Sequence, residues 1–169
     1  NARKPDSQDI CFVPDGDYAS VIERYMGEPS VPGNFIDTEG RILGRHRGII
    51  HYTIGQRKGL GLASTEPWYV VRISPEDNTV TLGRKPDLFT DTVHVRAFSR
   101  ISGQAPPDAL RCRAKLRYRQ PEQPCTAYTE EDGTVTLVFD EPQRAVTPGQ
   151  AAVLYQGDEV LGGGVITAF

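Results

Sequence analysis

The chain has 169 residues, a formal net charge of -3 at pH 7, and an apolar content of 38%. This length suits one ordinary domain or two small ones, and no stretch approaches the ~18 consecutive apolar residues of a membrane span. The negative charge argues against nucleic-acid binding over the whole surface, because neutralising phosphates requires cations, although it leaves room for a local basic face.

Cysteines and histidines are few, with three of each. An odd number of cysteines without a CxxC pair predicts neither a disulfide framework nor a zinc site. We therefore expect no bound metal. A reducing cytoplasm is the simplest compartment for such a chain, and no basic-then-apolar signal peptide opens it.

One segment near the start has the spacing of a helix. Apolar side chains recur at helical intervals from Tyr18 to Met26, and Asp15 or Asp17 can cap the first turn. Two prolines and Gly33 follow and end it. This is the one short helix that the sequence predicts.

From Gly33 onward, the pattern is that of short strands joined by turns. Residues 35–37 and 41–43 flank a loop that ends in Gly40, which predicts a hairpin, and residues 68–73 and 79–82 predict a second one. Their regular spacing predicts that the later strands close, or nearly close, an antiparallel barrel. These later strands are predicted at residues 93–95, 110–119, 125–129, 134–139, 151–155 and 164–168.

The predicted fold is therefore mainly β, with a small β central domain, an antiparallel C-terminal β-barrel and one short N-terminal helix. A shift in composition near residues 85–87 marks the boundary between the two β parts. We expect residues 1–30 to form a linker and helix, residues 31–88 the central domain, and residues 89–169 the barrel.

Cys11 is the first candidate for chemistry. A cysteine between Ile10 and Phe12 is often a buried structural thiol. The polar run before it, with Ser7 and Gln8, instead suggests a loop, from which a thiolate could reach both a sulfur donor and a substrate. The local residues leave both interpretations open.

The glycine-rich run from residue 44 to 61 is the second candidate. It lacks the glycine-lysine-serine/threonine triplet of a P-loop. Backbone N–H groups around Gln56, beside the cations Arg57 and Lys58, could nonetheless bind an anion or an RNA backbone. The alternative is a glycine-rich turn with solvated charges.

The third candidate is a row of cations at every odd position from 111 to 119, alternating with apolar residues. In a strand, this pattern places five positive charges on one face, suited to a phosphate backbone. The alternative is a solvated outer strand whose cations pair with the acids at residues 130–132. Cys112 and Cys125 are predicted to be core thiols, and a turn at residues 121–124 would keep them apart.

In sequence order, these segments resemble the tRNA-specific 2-thiouridylases. Residues 6–12 resemble the segment that holds the family's second catalytic cysteine, and residues 44–61 resemble its central-domain signature. The resemblance covers nearly the whole chain and depends on several co-linear motifs. The other matching segments are residues 66–70, 117–120, 139–142, 145–150 and 161–164.

The resemblance implies a tRNA-uridine 2-sulfurtransferase that uses ATP and magnesium, with tRNA as substrate and neither DNA nor a membrane as partner. Cys11 would carry a persulfide supplied by a cysteine desulfurase or a sulfur-relay protein, and a second cysteine elsewhere would resolve it. Arg117, Tyr118 and Gln150 would contact tRNA, with Gln56, Arg57 and Lys58 as a candidate RNA-facing loop.

Two departures from the family pattern stand out. The family's glycine-rich ATP-binding motif and its partner cysteine are absent, so we expect a C-terminal portion that binds no ATP and is inactive alone. Phe98 stands where the family has a tryptophan, which we interpret as a packing change. The rival interpretation is a non-catalytic RNA-binding β-barrel, like those of translation factors, in which Cys11 is structural. A protein-interaction module with no role in RNA is a third.

Overall fold

The computed structural model describes residues 17–101 and 109–167. The chain divides into two compact units, Asn1–Leu82 and Gly83–Phe169. Cys11 lies outside the described residues. The predicted fold class is confirmed: strands dominate both units, and the described residues include one α-helix. The assignment of residues 1–30, 31–88 and 89–169 to functional domains stays a prediction.

The predicted helix, α1, runs from Tyr18 to Met26. The Asp17 carboxylate caps it by accepting a hydrogen bond from the backbone N–H of Ser20 at 3.2 Å. Gly27 ends it with a left-handed φ of 76°, a conformation that glycine adopts without strain. No helix in the described ranges has the length and apolar character needed to cross a membrane.

The first unit contains a four-stranded mixed sheet in the order β2-β1-β4-β3, formed by β1 (Gly33–Asp37), β2 (Ile42–His46), β3 (Tyr69–Ser74) and β4 (Thr79–Gly83). The predicted hairpin forms from antiparallel β1 and β2, and β3 and β4 are neighbours as expected. Parallel pairing of β1 with β4, which the sequence did not predict, joins the two hairpins.

The core of this unit lies on one face of the sheet. Phe35, Val70 and Val80 are fully buried there, and Leu60 from the long connection between β2 and β3 packs against them. A short 3-10 turn at Ile49–His51 begins that connection. Residues 52–68 have no regular secondary structure, so their course depends on packing and on local hydrogen bonds.

The second unit is a closed six-stranded antiparallel barrel. Its strands are β5 (Phe89–Arg100), β6 (Ala109–Lys115), β7 (Gln123–Thr129), β8 (Val135–Arg144), β9 (Ala151–Gln156) and β10 (Glu159–Ile166). Around the barrel they follow the order β10-β5-β8-β7-β6-β9. Closure leaves no free sheet edge, which confirms the predicted architecture. A second 3-10 turn, Pro86–Leu88, precedes it.

Every second side chain along the strands points inward, and these side chains fill the barrel. Val93, Leu137 and Leu154 point inward with at most 2% of their surface exposed, while their neighbours in sequence are more exposed. Gly162 lies where a Cβ atom would be 2.3 Å from the carbonyl oxygen of Ser99, so only glycine permits this approach of β10 to β5. Side chains of the barrel that could contact a partner therefore lie on its outer face and in the loops at its two ends.

Candidate nucleic-acid interface

The glycine-rich segment of the first unit is built around a buried histidine. His46 is 3% exposed, and its Nδ1 accepts a hydrogen bond from the backbone N–H of Gly48 at 3.1 Å. Its Nε2 therefore carries the proton and donates to the carbonyl oxygen of Asn78 at 3.2 Å. The His46 ring also meets Phe35 and Tyr52 edge-on. The histidine of the motif thus has a structural position.

Two glycines permit close packing here, Gly33 on β1 and Gly48 in the segment. A Cβ atom on Gly33 would lie 2.0 Å from the Asn78 carbonyl oxygen and 2.7 Å from the His46 ring. One on Gly48, whose φ is 126°, would lie 2.5 Å from Cβ of Ser30. Ser30 in turn donates a hydrogen bond to the Arg47 carbonyl oxygen at 3.1 Å. These contacts hold the start of the loop against β1.

Acidification is expected to destabilise the first unit through His46. Burial lowers the pKa of this imidazole, so the unfolded chain takes up a proton at a higher pH than the folded chain. Stability should then fall as the pH drops below the unfolded value of about 6.5, by at most about 1.4 kcal/mol per pH unit. Urea unfolding from pH 7.5 to 5.5 measures this slope. His46→Asn should flatten the slope, and an unchanged slope in that variant would contradict the assignment.

Gln56 holds its own loop together. Its Oε1 accepts from the N–H of Thr53 at 3.0 Å, and its Nε2 donates to the carbonyl oxygen of Lys58 at 3.0 Å. The backbone N–H groups of Gly55 and Gln56 bond to the carbonyl oxygens of Val70 and Thr53. Because these two N–H groups are already bonded, they cannot bind a phosphate as the N–H groups of an ATP-binding loop do.

Arg57 and Lys58 project from this loop and are exposed. Arg57 also lines a groove of about 430 Å³. The other residues of the groove include Gly59, Leu60, Gly61 and Trp68. Of the three residues predicted to face RNA, Arg57 and Lys58 therefore have exposed charged side chains, whereas the side chain of Gln56 forms hydrogen bonds within the loop.

The predicted row of five cations on one strand is wrong beyond Lys115, where β6 ends. Arg111 and Arg113 do lie on the outer face, but the predicted partners at residues 130–132 are also wrong. Arg111 forms a two-pronged ion pair with Asp140, and Arg113 lies 3.6 Å from a Glu122 carboxylate oxygen. In this part of the row, the cations are paired with acids on the surface, as expected for a solvated outer strand and not for a phosphate-binding face.

A hydrogen-bonded turn follows β6 and carries two of the predicted RNA-contacting residues. The backbone N–H of Gln120 donates to the Arg117 carbonyl oxygen at 3.1 Å, which places Tyr118 and Arg119 at the tip. Tyr118 is 73% exposed, and the ammonium group of Lys115 lies 5.6 Å from its ring centroid. The turn therefore presents an aromatic ring together with positive charge.

Gln150, the third predicted RNA-contacting residue, ends a second turn, between β8 and β9. Its N–H donates to the Thr147 carbonyl oxygen at 3.3 Å across Pro148 and Gly149, whose φ of 85° suits a type II turn. The Gln150 side chain is exposed. In an antiparallel barrel, β6 and β8 end at the same rim, so this turn and the Tyr118 turn lie at one end of the barrel.

Arg117 connects the two turns. Its guanidinium donates to the carbonyl oxygen of Ala145, which also accepts from the Thr147 hydroxyl at 3.1 Å. Ala145 has a left-handed φ of 51°, a conformation that is strained for a residue with a side chain. The half-buried Arg117 thus fixes the start of the segment that carries Gln150.

The two ends of the barrel differ in charge. We call the end formed by residues 116–122 and 145–150 the basic end, because Lys115, Arg117, Arg119 and Arg144 lie in or beside its loops. Glu122 opposes them there. The other end carries the turns at residues 130–134 and 157–158, which contribute four acids, Glu130, Glu131, Asp132 and Asp158, against one cation, Arg100, at the end of β5. A polyanion would therefore be attracted to the basic end, despite the negative net charge.

Cys112 and Cys125 are core thiols, as predicted, but they are not apart. They occupy opposite positions on β6 and β7, and their Sγ atoms lie 3.7 Å apart. The reason is that the hairpin turns at residues 117–120 and not at residues 121–124. Within the described ranges, no group of histidine, cysteine and acidic side chains could hold a metal ion.

At the basic end, one residue was placed on the wrong element and another was missed as a candidate. Arg119 was assigned to the strand row, and the alternation gave no signal that it lies at the tip of a turn. Gln143 is 4% exposed, and its Oε1 accepts from Nε2 of Gln120 at 2.6 Å, which makes a second connection between the turns. In the sequence, the only indication that Gln143 is a candidate is its place in a polar run before Arg144.

Two family models match the chain, and each covers most of one compact unit. Residues 19–84 match a model described as the tRNA methyl transferase PRC-barrel domain. Residues 90–166 match one described as the aminomethyltransferase beta-barrel domain. Together the matches include the first sheet and nearly all of the closed barrel.

Curated relatives match over almost the whole chain. The tRNA-specific 2-thiouridylase MnmA of Lachnoclostridium phytofermentans is 52% identical over 165 residues, which are 98% of this chain and 46% of that protein. The protein of the same name from Acetivibrio thermocellus shows the same identity and coverage, and that of Clostridioides difficile is 46% identical over 164 residues. The chain spans slightly less than half the length of these relatives. It belongs to the family of tRNA-specific 2-thiouridylases.

Proposed function

We propose that this chain is the sulfur-carrying and tRNA-contacting portion of an enzyme that makes 2-thiouridine at the anticodon wobble position. The identity of about half the residues to proteins named tRNA-specific 2-thiouridylase is the observation that carries the proposal. The whole protein would be a tRNA-uridine 2-sulfurtransferase, and this portion alone would be inactive.

Cys11 is the proposed sulfur carrier. The terminal sulfur of its persulfide would bond to C2 of the uridine as the activated 2-oxygen leaves. A second cysteine thiolate would then attack the Cys11 sulfur, which breaks the persulfide S–S bond and leaves sulfur on C2 and a disulfide on the protein. The persulfide sulfur would come from a cysteine desulfurase, directly or through a relay protein.

ATP is a substrate of the proposed reaction, since adenylation would convert the 2-oxygen into a leaving group. The glycine-rich loop does not fit a nucleotide site at Gly55 and Gln56, because their N–H groups already bond to the carbonyl oxygens of Val70 and Thr53. The described residues also include no acidic cluster for magnesium. We therefore expect both to bind to a part of the whole enzyme that is not among these residues.

The basic end is the proposed tRNA contact of the barrel. Tyr118 offers a ring for stacking and Gln150 an amide for hydrogen bonds, while Arg117 fixes the two turns and adds positive charge. Arg57 and Lys58 would add cations from the first unit. These side chains would supply locally the positive charge that tRNA binding requires, although the net charge of the chain is negative.

Replacing Arg117 with alanine should weaken binding of the full-length protein to tRNA across sequences. If its guanidinium contacts a phosphate, the slope of log affinity against log salt should fall by roughly 0.7 to 0.9. Tyr118→Ala should cost about 1–3 kcal/mol of binding with little change in slope, because stacking releases no counterions. Gln150→Ala should also leave the slope unchanged. Binding titrations at several salt concentrations measure both quantities.

Arg117→Lys separates charge from positioning in the same experiment. Lysine keeps the charge but not the planar fork that reaches the Ala145 carbonyl oxygen, so its salt slope should match that of the wild type. Arg84→Ala, which removes a cation outside both turns, serves as the control for general charge loss. An affinity and slope for Arg117→Ala equal to those of the wild type would show that the basic end is only a solvated face.

A further inference from the structure

A pair of thiols inside the barrel has no place in the proposed reaction. Cys112 and Cys125 face each other across β6 and β7 at an Sγ–Sγ distance of 3.7 Å, with 5% and 0% of their surfaces exposed. We propose that this pair is a modification site, at which hydrogen peroxide or a small hydroperoxide forms a disulfide across the hairpin. The proposal concerns this chain whatever reaction the whole protein performs.

The strand register suits such a bond. Directly opposed residues of antiparallel strands have Cα atoms about 4.5–5.5 Å apart, inside the range of about 4.4–6.8 Å seen for disulfides. The sulfur atoms must approach from 3.7 Å to about 2.0 Å, which rotation of the side chains can supply. Formation of the bond therefore requires no change of register between β6 and β7.

One of the two cysteines lies closer to the surface than the other, with 5% of Cys112 exposed against 0% of Cys125. β6 pairs with β9 only from Arg113 to Lys115, so the two strands separate beside Cys112. A groove of about 380 Å³ opens there, and Cys112 lines it together with Pro124 and Tyr155. Cys125 does not line the groove and is fully buried. An oxidant would thus meet Cys112 first, with Cys125 behind it.

The electrostatics favour the same order. A hydrogen bond from the Cys125 thiol, together with the nearby charge of Arg111, lowers the pKa of Cys112. The same hydrogen bond and burial raise the pKa of Cys125. Together with the groove beside Cys112, this direction is the basis for proposing that Cys112 reacts first and Cys125 second.

The chemistry balances with peroxide as the only oxidant. The Cys112 sulfur attacks one peroxide oxygen, the O–O bond breaks, and a sulfenic acid and water form. The Cys125 sulfur then attacks the Cys112 sulfur, the S–S bond forms, and the hydroxyl group leaves as a second water. Two thiols are oxidised to one disulfide, and one peroxide is reduced to two waters.

The test uses the chain with Cys11→Ser, so that only the two barrel thiols remain. The native protein is treated with hydrogen peroxide, alkylated, and digested without reductant for mass spectrometry. We expect a cross-linked peptide pair containing Cys112 and Cys125, lighter than the two reduced peptides by two hydrogen atoms and restored by dithiothreitol. Two free thiols, or Cys112 oxidised to sulfinic acid beside a free Cys125, would overturn the proposal.

The order of reaction is tested with Cys125→Ser. Without the second thiol, Cys112 should remain a sulfenic acid that a diketone probe labels, whereas the parent protein should show little labelling. In Cys112→Ser, the buried Cys125 should stay unlabelled. Equal labelling of the parent and Cys125→Ser would contradict the role of Cys125. If a variant fails to fold, the cross-link in the parent still decides the proposal.

Discussion

Replacing Cys11 with serine in the full-length protein is expected to stop formation of 2-thiouridine while leaving adenylation of the uridine intact. A hydroxyl group cannot carry a persulfide, so the transferable sulfur is lost although the activation step does not need this residue. The measurement is nucleoside analysis of an anticodon stem-loop after incubation with ATP, magnesium, cysteine and a cysteine desulfurase. Adenylation is followed separately by release of pyrophosphate.

Cys112 and Cys125, the other two cysteines of this chain, provide matched controls for this substitution. Cys112→Ser and Cys125→Ser alter thiols that lie in the barrel core, so under reducing conditions both variants should thiolate nearly as the wild type does, with modest losses of stability. After incubation with the desulfurase alone, the added sulfur should be found on Cys11. Thiolation at the wild-type rate in Cys11→Ser would exclude Cys11 as the carrier.

Phe35→Ala is expected to have the largest effect on folding. This side chain is fully buried and meets the rings of His46 and Tyr52 at centroid distances of 5.4 and 5.1 Å. Its truncation should lower the free energy of unfolding of the first unit by about 3–5 kcal/mol. Trp68 packs against this core and is the only tryptophan of the chain, so its fluorescence during urea unfolding reports on this unit.

The neighbouring position supplies the control for Phe35→Ala. Ile36 lies on the same strand with its side chain only half-buried, so Ile36→Ala should cost clearly less. A loss below about 1 kcal/mol for Phe35→Ala would mean that the core tolerates the cavity, contrary to the expected cost of removing a buried aromatic ring. Equal losses for both variants would show that burial on this strand does not determine stability.

Local patterns predicted the architecture. Alternation of apolar and polar residues predicted the strands, and short spacings predicted turns, because both depend on neighbours in sequence. The parallel pairing of β1 with β4 was not predictable in this way, since it joins strands that are separated by about half the length of the first unit. The closed barrel was expected from strand spacing, but its strand order was not.

The cationic row shows where alternation fails. Every odd position from 111 to 119 is basic, yet the strand ends at Lys115 and the chain turns through Tyr118 and Arg119. A period of two residues does not reveal the backbone hydrogen bond that closes a turn. Placing the turn a few residues late also shifted the expected register, which separated Cys112 from Cys125 in the prediction.

The candidate site was predictable only in part. The resemblance supplied Arg117, Tyr118 and Gln150, and the structure places their turns at one end of the barrel. It did not supply the connection through the Ala145 carbonyl oxygen, because that contact depends on a left-handed backbone at a residue other than glycine. Cys11 lies outside the described residues, so its role stays a prediction.

Nucleoside analysis of tRNA after reaction with the purified full-length protein tests the central claim most directly. With ATP, magnesium, cysteine and a desulfurase present, we predict 2-thiouridine at the wobble position and its absence when ATP is omitted. Binding of tRNA without any 2-thiouridine, under conditions in which a characterised 2-thiouridylase reacts, would contradict the account. That result would instead favour a non-catalytic RNA-binding barrel in which Cys11 is structural.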